Sequence, residues 1–95
     1  HKAGDIFVVH NGIIENYKEL KKELSGHDFK SQTDTEVLAA LINSFYDEKT
    51  ELIDAVTQAL QLVHGTYGIA VASVREPEEI VVARSGSPLI IGVAD

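Results

Sequence analysis

The chain has 95 residues, a formal net charge of -7, 44% hydrophobic residues and 24% charged residues. These values are typical of one small folded domain and exclude a disordered or fibrous chain. The acidic balance opposes contact with a phosphate backbone, so no nucleic acid partner is expected. Neither a membrane-spanning run nor a signal peptide is present, which predicts no membrane partner and a cytoplasmic location. With no cysteine, the chain holds no disulfide, thiolate nucleophile or sulfur-ligated zinc site.

The first elements are a strand and a helix. Residues 5–10 (DIFVVH) form a short run of β-branched and aromatic residues, which predicts a buried strand that ends at the following Asn-Gly pair. Apolar residues at helical intervals then predict a first helix over about 17–25. Asn16 and Glu19 have the spacing of a capping pair at its start.

Two further helices are predicted in the middle of the chain. Residues 28–31 are short and ambiguous, and an edge strand is the expectation there. Thr33 begins a second capping box, which predicts a helix over 34–47 with one apolar stripe. Thr50 is the expected cap of a third helix, which Gly65 ends.

The last third changes to a β pattern. Residues 66–74, 80–84 and 89–94 are rich in Val, Ile and Ala, and the Pro- and Gly-containing segments 75–78 and 85–88 predict turns between them. The predicted order is βαβααβββ. This order favours an α+β fold in which helices pack on a mostly antiparallel sheet.

Two short motifs could carry chemistry. At Asn11 and Gly12, a side-chain amide and a backbone N–H can converge on one oxygen, as an oxyanion hole requires. The same pair is also the strongest short-range signal for a β-hairpin. Asp34 stands in the first turn of the predicted second helix, where a carboxylate is favoured by the helix dipole and can also hold a ligand ammonium group. Local sequence leaves both pairs of alternatives open.

Metal and phosphate sites are not indicated. The four histidines show no ligand spacing and fall on different elements, so each is expected to be structural or exposed: His1, His10, His27 and His64. The turn at 85–88 lacks the glycines and the following helix of a phosphate cradle. We therefore expect no metal and no cofactor.

Taken together, the motifs HNGIIENY, TDTEV, HGTYGIAV and ARSGSPLIIG resemble the glutaminase domain of class II glutamine amidotransferases. The resemblance runs nearly end to end. The continuation of the first motif and the last motif are similar to the glucosamine-forming branch, the glutamine:fructose-6-phosphate aminotransferases. These enzymes hydrolyse glutamine and transfer the ammonia to fructose 6-phosphate, giving glucosamine 6-phosphate and glutamate.

The resemblance implies a fold and three site residues. The fold is that of N-terminal nucleophile (Ntn) hydrolases, an αββα sandwich of which residues 1–95 would be the central part. Asn11 and Gly12 match the family's oxyanion hole, and Asp34 matches the carboxylate that binds the α-amino group of glutamine. Glutamine is thus the implied ligand, and a homo-oligomer is expected.

The chain also departs from the family pattern. The family's nucleophile is an N-terminal cysteine, absent here, as are its upstream arginine and tryptophan and its C-terminal isomerase domain. We therefore expect an internal fragment that does not hydrolyse glutamine by itself. The alternatives are another class II amidotransferase, similar to amidophosphoribosyltransferase, and a non-catalytic acidic binding module.

Overall fold

A five-stranded antiparallel sheet forms the centre of the computed structural model, which describes residues 2–24, 34–85 and 87–92. The strands follow chain order across the sheet: β1 (Lys2–Ala3), β2 (Ile6–Ile14), β3 (Gly65–Ser73), β4 (Glu79–Arg84) and β5 (Ser87–Gly92). Between β2 and β3 lie α1 (Tyr17–Glu23), α2 (Asp34–Ser44) and α3 (Leu52–Leu60). The predicted α+β class and the C-terminal meander are confirmed.

The helices cover one face of the sheet. Side chains alternate along each strand, so every second residue of β2 and β3 points toward the helices. The fully buried positions of the core follow this alternation and include Ile6, Val8 and Val71 of the sheet. Leu38 and Ile42 of α2 meet them with less than 2% exposure. The sequence therefore folds around one apolar layer between sheet and helices.

The opposite sheet face has no cover among the described residues. We call it the open face, and its apolar residues form two cross-strand rows: Phe7, Ala72, Ile80 and Ile91, then Val9, Ala70, Val82 and Leu89. Val9 and Leu89 are 66% and 63% exposed. A row of this kind is suited to contact with another apolar layer.

The first long strand differs from its prediction. β2 does not end at the Asn-Gly pair but continues to Ile14, and it pairs with β3 along its whole length, from Ile6 with Ser73 to Ile14 with Gly65. The hairpin alternative is wrong too, because the chain does not reverse there. In addition, β1 pairs with the start of β2, and the order of described elements is ββαααβββ; the expected strand at 28–31 lies outside the described residues.

Two predicted helix caps are replaced by other contacts. The side chain of Asn16 makes no capping bond to α1. Its amide instead donates to the carbonyl of Leu62 at 2.8 Å and its oxygen accepts from the N–H of His64 at 2.9 Å. Thr50 does not cap α3, since its hydroxyl donates to Asp47. The Thr33 cap lies outside the described residues.

The other boundaries shift by a few residues. α2 ends at Ser44, before the predicted 47, and α3 ends at Leu60 rather than at Gly65, which is the first residue of β3. β5 begins at Ser87, before the predicted 89. Pro88 is accommodated because β5 is an edge strand that pairs only with β4 among the described strands. None of the helices in the described parts of the chain is long and apolar enough to cross a membrane.

Candidate functional site

Gly12 occupies a position that only glycine can fill. Its φ is +97°, and a Cβ placed there would lie 2.3 Å from the carbonyl oxygen of Thr66 and 2.7 Å from Cα of Tyr67. Both the backbone conformation and the close approach of β3 exclude a side chain. Gly12 therefore allows β2 to continue past Asn11 while it stays paired with β3.

Asn11 lies beside Gly12 with its side chain on the open face. Its cross-strand partner is Gly68, and a Cβ on Gly68 would lie 3.1 Å from Oδ1 of Asn11. The missing side chain thus leaves room for the amide. An open groove of about 350 Å³ runs along this point and also includes Thr66, Tyr67 and Arg84. Asn11 is exposed, so its amide can reach a ligand in the groove.

Asp34 begins α2, with its side chain 29% exposed. Oδ2 of Asp34 lies 3.7 Å from Nε2 of His10, the residue just before Asn11. The first turn of α2 is thereby brought beside the middle of β2, where no described strand pairs with the other edge of β2 beyond Phe7. The contact with His10 therefore places Asp34 beside the segment of β2 that carries Asn11.

His10 is the site residue that sequence reasoning missed. It was expected to be structural or exposed, and its side chain is in fact buried, with only 5% exposure and contacts to two residues of α2. Its position beside Asp34 was not predicted. Nδ1 lies 2.7 Å from Oγ1 of Thr35, and Nε2 faces Asp34. The alternation of side chains along the strand could have predicted this contact. His10 lies on the same helix-facing side as Ile6 and Val8, where a buried ionisable group needs a hydrogen-bond partner.

The remaining predicted residues stand apart from this cluster. His64 is exposed and lies just before β3, while His1 and His27 lie outside the described residues. Within the described ranges, no three His, Asp or Glu side chains are grouped as a metal site would need. The chemistry that the described residues offer is therefore hydrogen bonding and charge, from the side-chain amide of Asn11, the backbone of Gly12 and the carboxylate of Asp34.

Similar sequences occur among known aminotransferases. The chain is 56% identical to glutamine–fructose-6-phosphate aminotransferase [isomerizing] of Chlorobaculum tepidum, over 98% of this chain and 16% of that protein. The corresponding protein of Methanothermobacter thermautotrophicus is 54% identical, with the same coverage. This chain thus spans about one sixth of the length of these relatives.

Solved structures show the same fold. The glutamine phosphoribosylpyrophosphate amidotransferase of B. subtilis superposes with a TM-score of 0.71 and 28% identity, covering 88% of this chain and 18% of that one. Its likeness confirms the predicted α+β class of the N-terminal nucleophile type. A model of the glutamine amidotransferase domain matches residues 1–94. The chain belongs to the glutamine amidotransferase domain family.

Proposed function

We propose that this chain is the central part of the glutaminase domain of an enzyme that hydrolyses glutamine and transfers the ammonia to fructose 6-phosphate. The products would be glutamate and glucosamine 6-phosphate. The observation that carries the proposal is the 56% identity to an aminotransferase of that name over 98% of the chain. The groove at Asn11 and Gly12 agrees with this activity, because amide hydrolysis develops negative charge on the amide oxygen.

The proposed roles follow from the geometry of each residue. A nucleophile that attacks the side-chain amide of glutamine converts its carbonyl oxygen to an oxyanion. The amide of Asn11 and the N–H of Gly12 would donate hydrogen bonds to that oxygen. Collapse of the tetrahedral intermediate expels ammonia, and water then releases glutamate. The carboxylate of Asp34 would accept hydrogen bonds from the α-ammonium group and hold the substrate in place.

The nucleophile and the acceptor site would come from other parts of a longer protein. The resemblance assigns the nucleophile to an N-terminal cysteine and the acceptor site to an isomerase domain. The open face supports an αββα arrangement, since an apolar sheet surface gains free energy when a second layer covers it. We place the reaction in the cytoplasm, because a phosphorylated sugar does not cross a bilayer unaided, and we expect a homo-oligomer.

A second candidate function has structural support. The solved amidotransferase that superposes with a TM-score of 0.71 is named for phosphoribosylpyrophosphate, so ammonia could be delivered to a phosphoribosyl acceptor. The lower identity, 28% against 56%, favours the fructose 6-phosphate acceptor. A non-catalytic acidic module is the third candidate.

The test is an acceptor comparison with the full-length protein that carries this segment. With glutamine and fructose 6-phosphate we expect equimolar glutamate and glucosamine 6-phosphate, measured by mass spectrometry. Consumption of phosphoribosylpyrophosphate instead would favour the second candidate, and no glutamate with either acceptor would favour the third. The 95-residue chain alone, which has no cysteine, serves as the inactive control.

A further inference from the structure

His10 occupies a helix-facing position in the middle of β2, in a row of apolar side chains. Val8 and Ile14, which lie on the same side of the strand, are 1% and 2% exposed. An imidazole at such a position loses hydration and must be compensated by hydrogen bonds. Its two nitrogens face two consecutive residues of α2, Asp34 and Thr35.

The two contacts distinguish between the two tautomers of a neutral imidazole ring. Oγ1 of Thr35 can donate or accept at Nδ1, whereas a carboxylate only accepts. With the proton on Nε2, the N–H points toward Asp34 and Nδ1 accepts from the Thr35 hydroxyl. The other tautomer would direct the Nε2 lone pair at a negative group. The geometry therefore favours the Nε2–H tautomer.

The contact between His10 and Asp34 is slightly too long for a direct hydrogen bond. Nε2 has no hydrogen-bond partner in the described structure, and its distance of 3.7 Å to Oδ2 exceeds a direct hydrogen bond by about 0.5 Å. Contacts at enzyme sites often tighten only when substrate is bound. A small rotation of Asp34 would complete this one and leave Oδ1 free.

We propose that His10 is a positioning residue that holds one oxygen of Asp34 so that the carboxylate meets the α-ammonium group of glutamine. The proposal rests on the proposed role of Asp34 in binding glutamine. Thr35 anchors the ring and the ring orients the carboxylate, so substrate binding depends on a side chain that does not touch substrate. His10 also precedes Asn11 directly, so it connects the start of α2 to the segment of β2 that carries the proposed oxyanion donor.

The experiment uses the full-length enzyme and two variants of His10. His10→Asn keeps a polar group near Nδ1 and Thr35 but loses the N–H toward Asp34. His10→Gln reaches the Nε2 position and keeps that donor. We expect His10→Asn to raise the KM for glutamine about fivefold or more with kcat within about twofold, and His10→Gln to recover most of the loss.

Two further measurements separate positioning from packing. A glutamine analogue without the α-amino group, tested as an inhibitor, should bind wild type and His10→Asn equally. In an Asp34→Asn background, His10→Asn should add no further rise in KM, because the two changes remove one interaction. His64→Asn, at the exposed histidine, is the matched control and should leave KM unchanged.

The outcomes distinguish this inference from the function on which it rests. If Asp34→Asn raises KM but His10→Asn does not, or if the two effects add, the positioning role is overturned while that of Asp34 stands. An equal loss of affinity for the analogue would also overturn it. If Asp34→Asn leaves KM unchanged, the ammonium site itself is wrong and the positioning role fails with it. Should His10→Asn fail to fold, Thr35→Val takes its place: it removes the hydrogen bond that anchors the ring and should also raise the KM for glutamine without affecting the analogue, and an unchanged KM would overturn the positioning role.

Discussion

Asn11 and Gly12 are adjacent in β2, but the structure restricts the residue type at only one of the two positions. Gly12 is required by the backbone, since its φ of +97° and the 2.3 Å approach of the Thr66 carbonyl leave no space for a Cβ. Asn11 has no such restriction and is exposed over Gly68. Its side chain is therefore the one to test for chemistry without disturbing the sheet.

For Asn11→Ala in the full-length enzyme, we expect kcat for glutamine hydrolysis to fall about 10²-fold or more with a small change in KM. An oxyanion donor acts mainly on charge that appears in the transition state. Turnover should be measured per folded active site, counted by titration. A loss of stability with normal turnover in the folded fraction would show instead that Asn11 only shapes the strand.

For Asp34→Asn, we expect the KM for glutamine to rise at least several-fold while the melting temperature changes by only a few degrees. A charge-assisted hydrogen bond to the substrate ammonium contributes about 1.5 to 3 kcal/mol, whereas a first-turn helix charge contributes about 0.3 to 1 kcal/mol. An analogue without the α-amino group is the control. If it loses as much affinity as glutamine does, Asp34 is only a helix-start charge.

At the scale of elements, the start of α3 is stabilised by a residue far away in the chain. The N–H of Leu52 donates to Oε2 of Glu76 at 2.9 Å. The same carboxylate accepts from the hydroxyl of Tyr46, which also lies 2.9 Å from Oγ of Ser73. The guanidinium of Arg75 lies 4.3 Å from the centre of the Tyr46 ring. Side chains at the end of β3 and in the turn after it therefore contact the segment after α2 and the start of α3.

We expect Glu76→Ala to destabilise the domain by about 1 to 3 kcal/mol, because it leaves two donors without their charged acceptor. Hydrogen–deuterium exchange of peptides covering 50–60 in the full-length protein should become faster. Glu78→Ala, at an exposed residue of the same turn, is the matched control. Equal exchange in both variants would show that the carboxylate does not cap α3.

The same cluster predicts a loss of stability in alkali. Burial raises the pKa of Tyr46 above its usual value, and the hydrogen bond to Glu76 adds to the rise. Because the native state holds this proton more tightly than the unfolded state, the stabilisation is complete below pH of about 10 and is lost as pH rises through the folded pKa. Melting temperatures from pH 8 to 11 should fall more steeply for wild type than for Tyr46→Phe. Parallel curves would contradict this linkage.

At the scale of the molecule, the open face is the most exposed apolar feature described. Phe7, Val9, Leu89 and Ile91 are each more than 40% exposed on it. Apolar surfaces of this kind favour association. We therefore expect the isolated 95-residue chain to self-associate, with dimers as the expected form.

Light scattering across a concentration series measures this association. Val9→Lys should weaken it, because a charge at the centre of the face is costly to bury. Val74→Lys, at an exposed apolar residue in the turn after β3, is the matched control and should have no effect. A stable monomer at millimolar concentration would contradict the expectation.

The sequence by itself determined the family, the three described helices and the C-terminal meander. These features depend on signals that lie within a few residues of each other: apolar spacing, turn residues and short motifs. The candidate residues Asn11, Gly12 and Asp34 were found in the same way. The geometry of the three residues agrees with the proposed roles.

Only the tertiary structure decided what those residues contact. β2 passes through the Asn-Gly pair because β3, more than 50 residues later, pairs with it on both sides of Gly12. Asn16 bonds to residues beyond α3 rather than to its own helix, and α3 takes its acceptor from Glu76. His10 meets Asp34 for the same reason. Local sequence reports the preferences of a segment, whereas a buried polar group is satisfied by whichever partner the packed chain brings within reach.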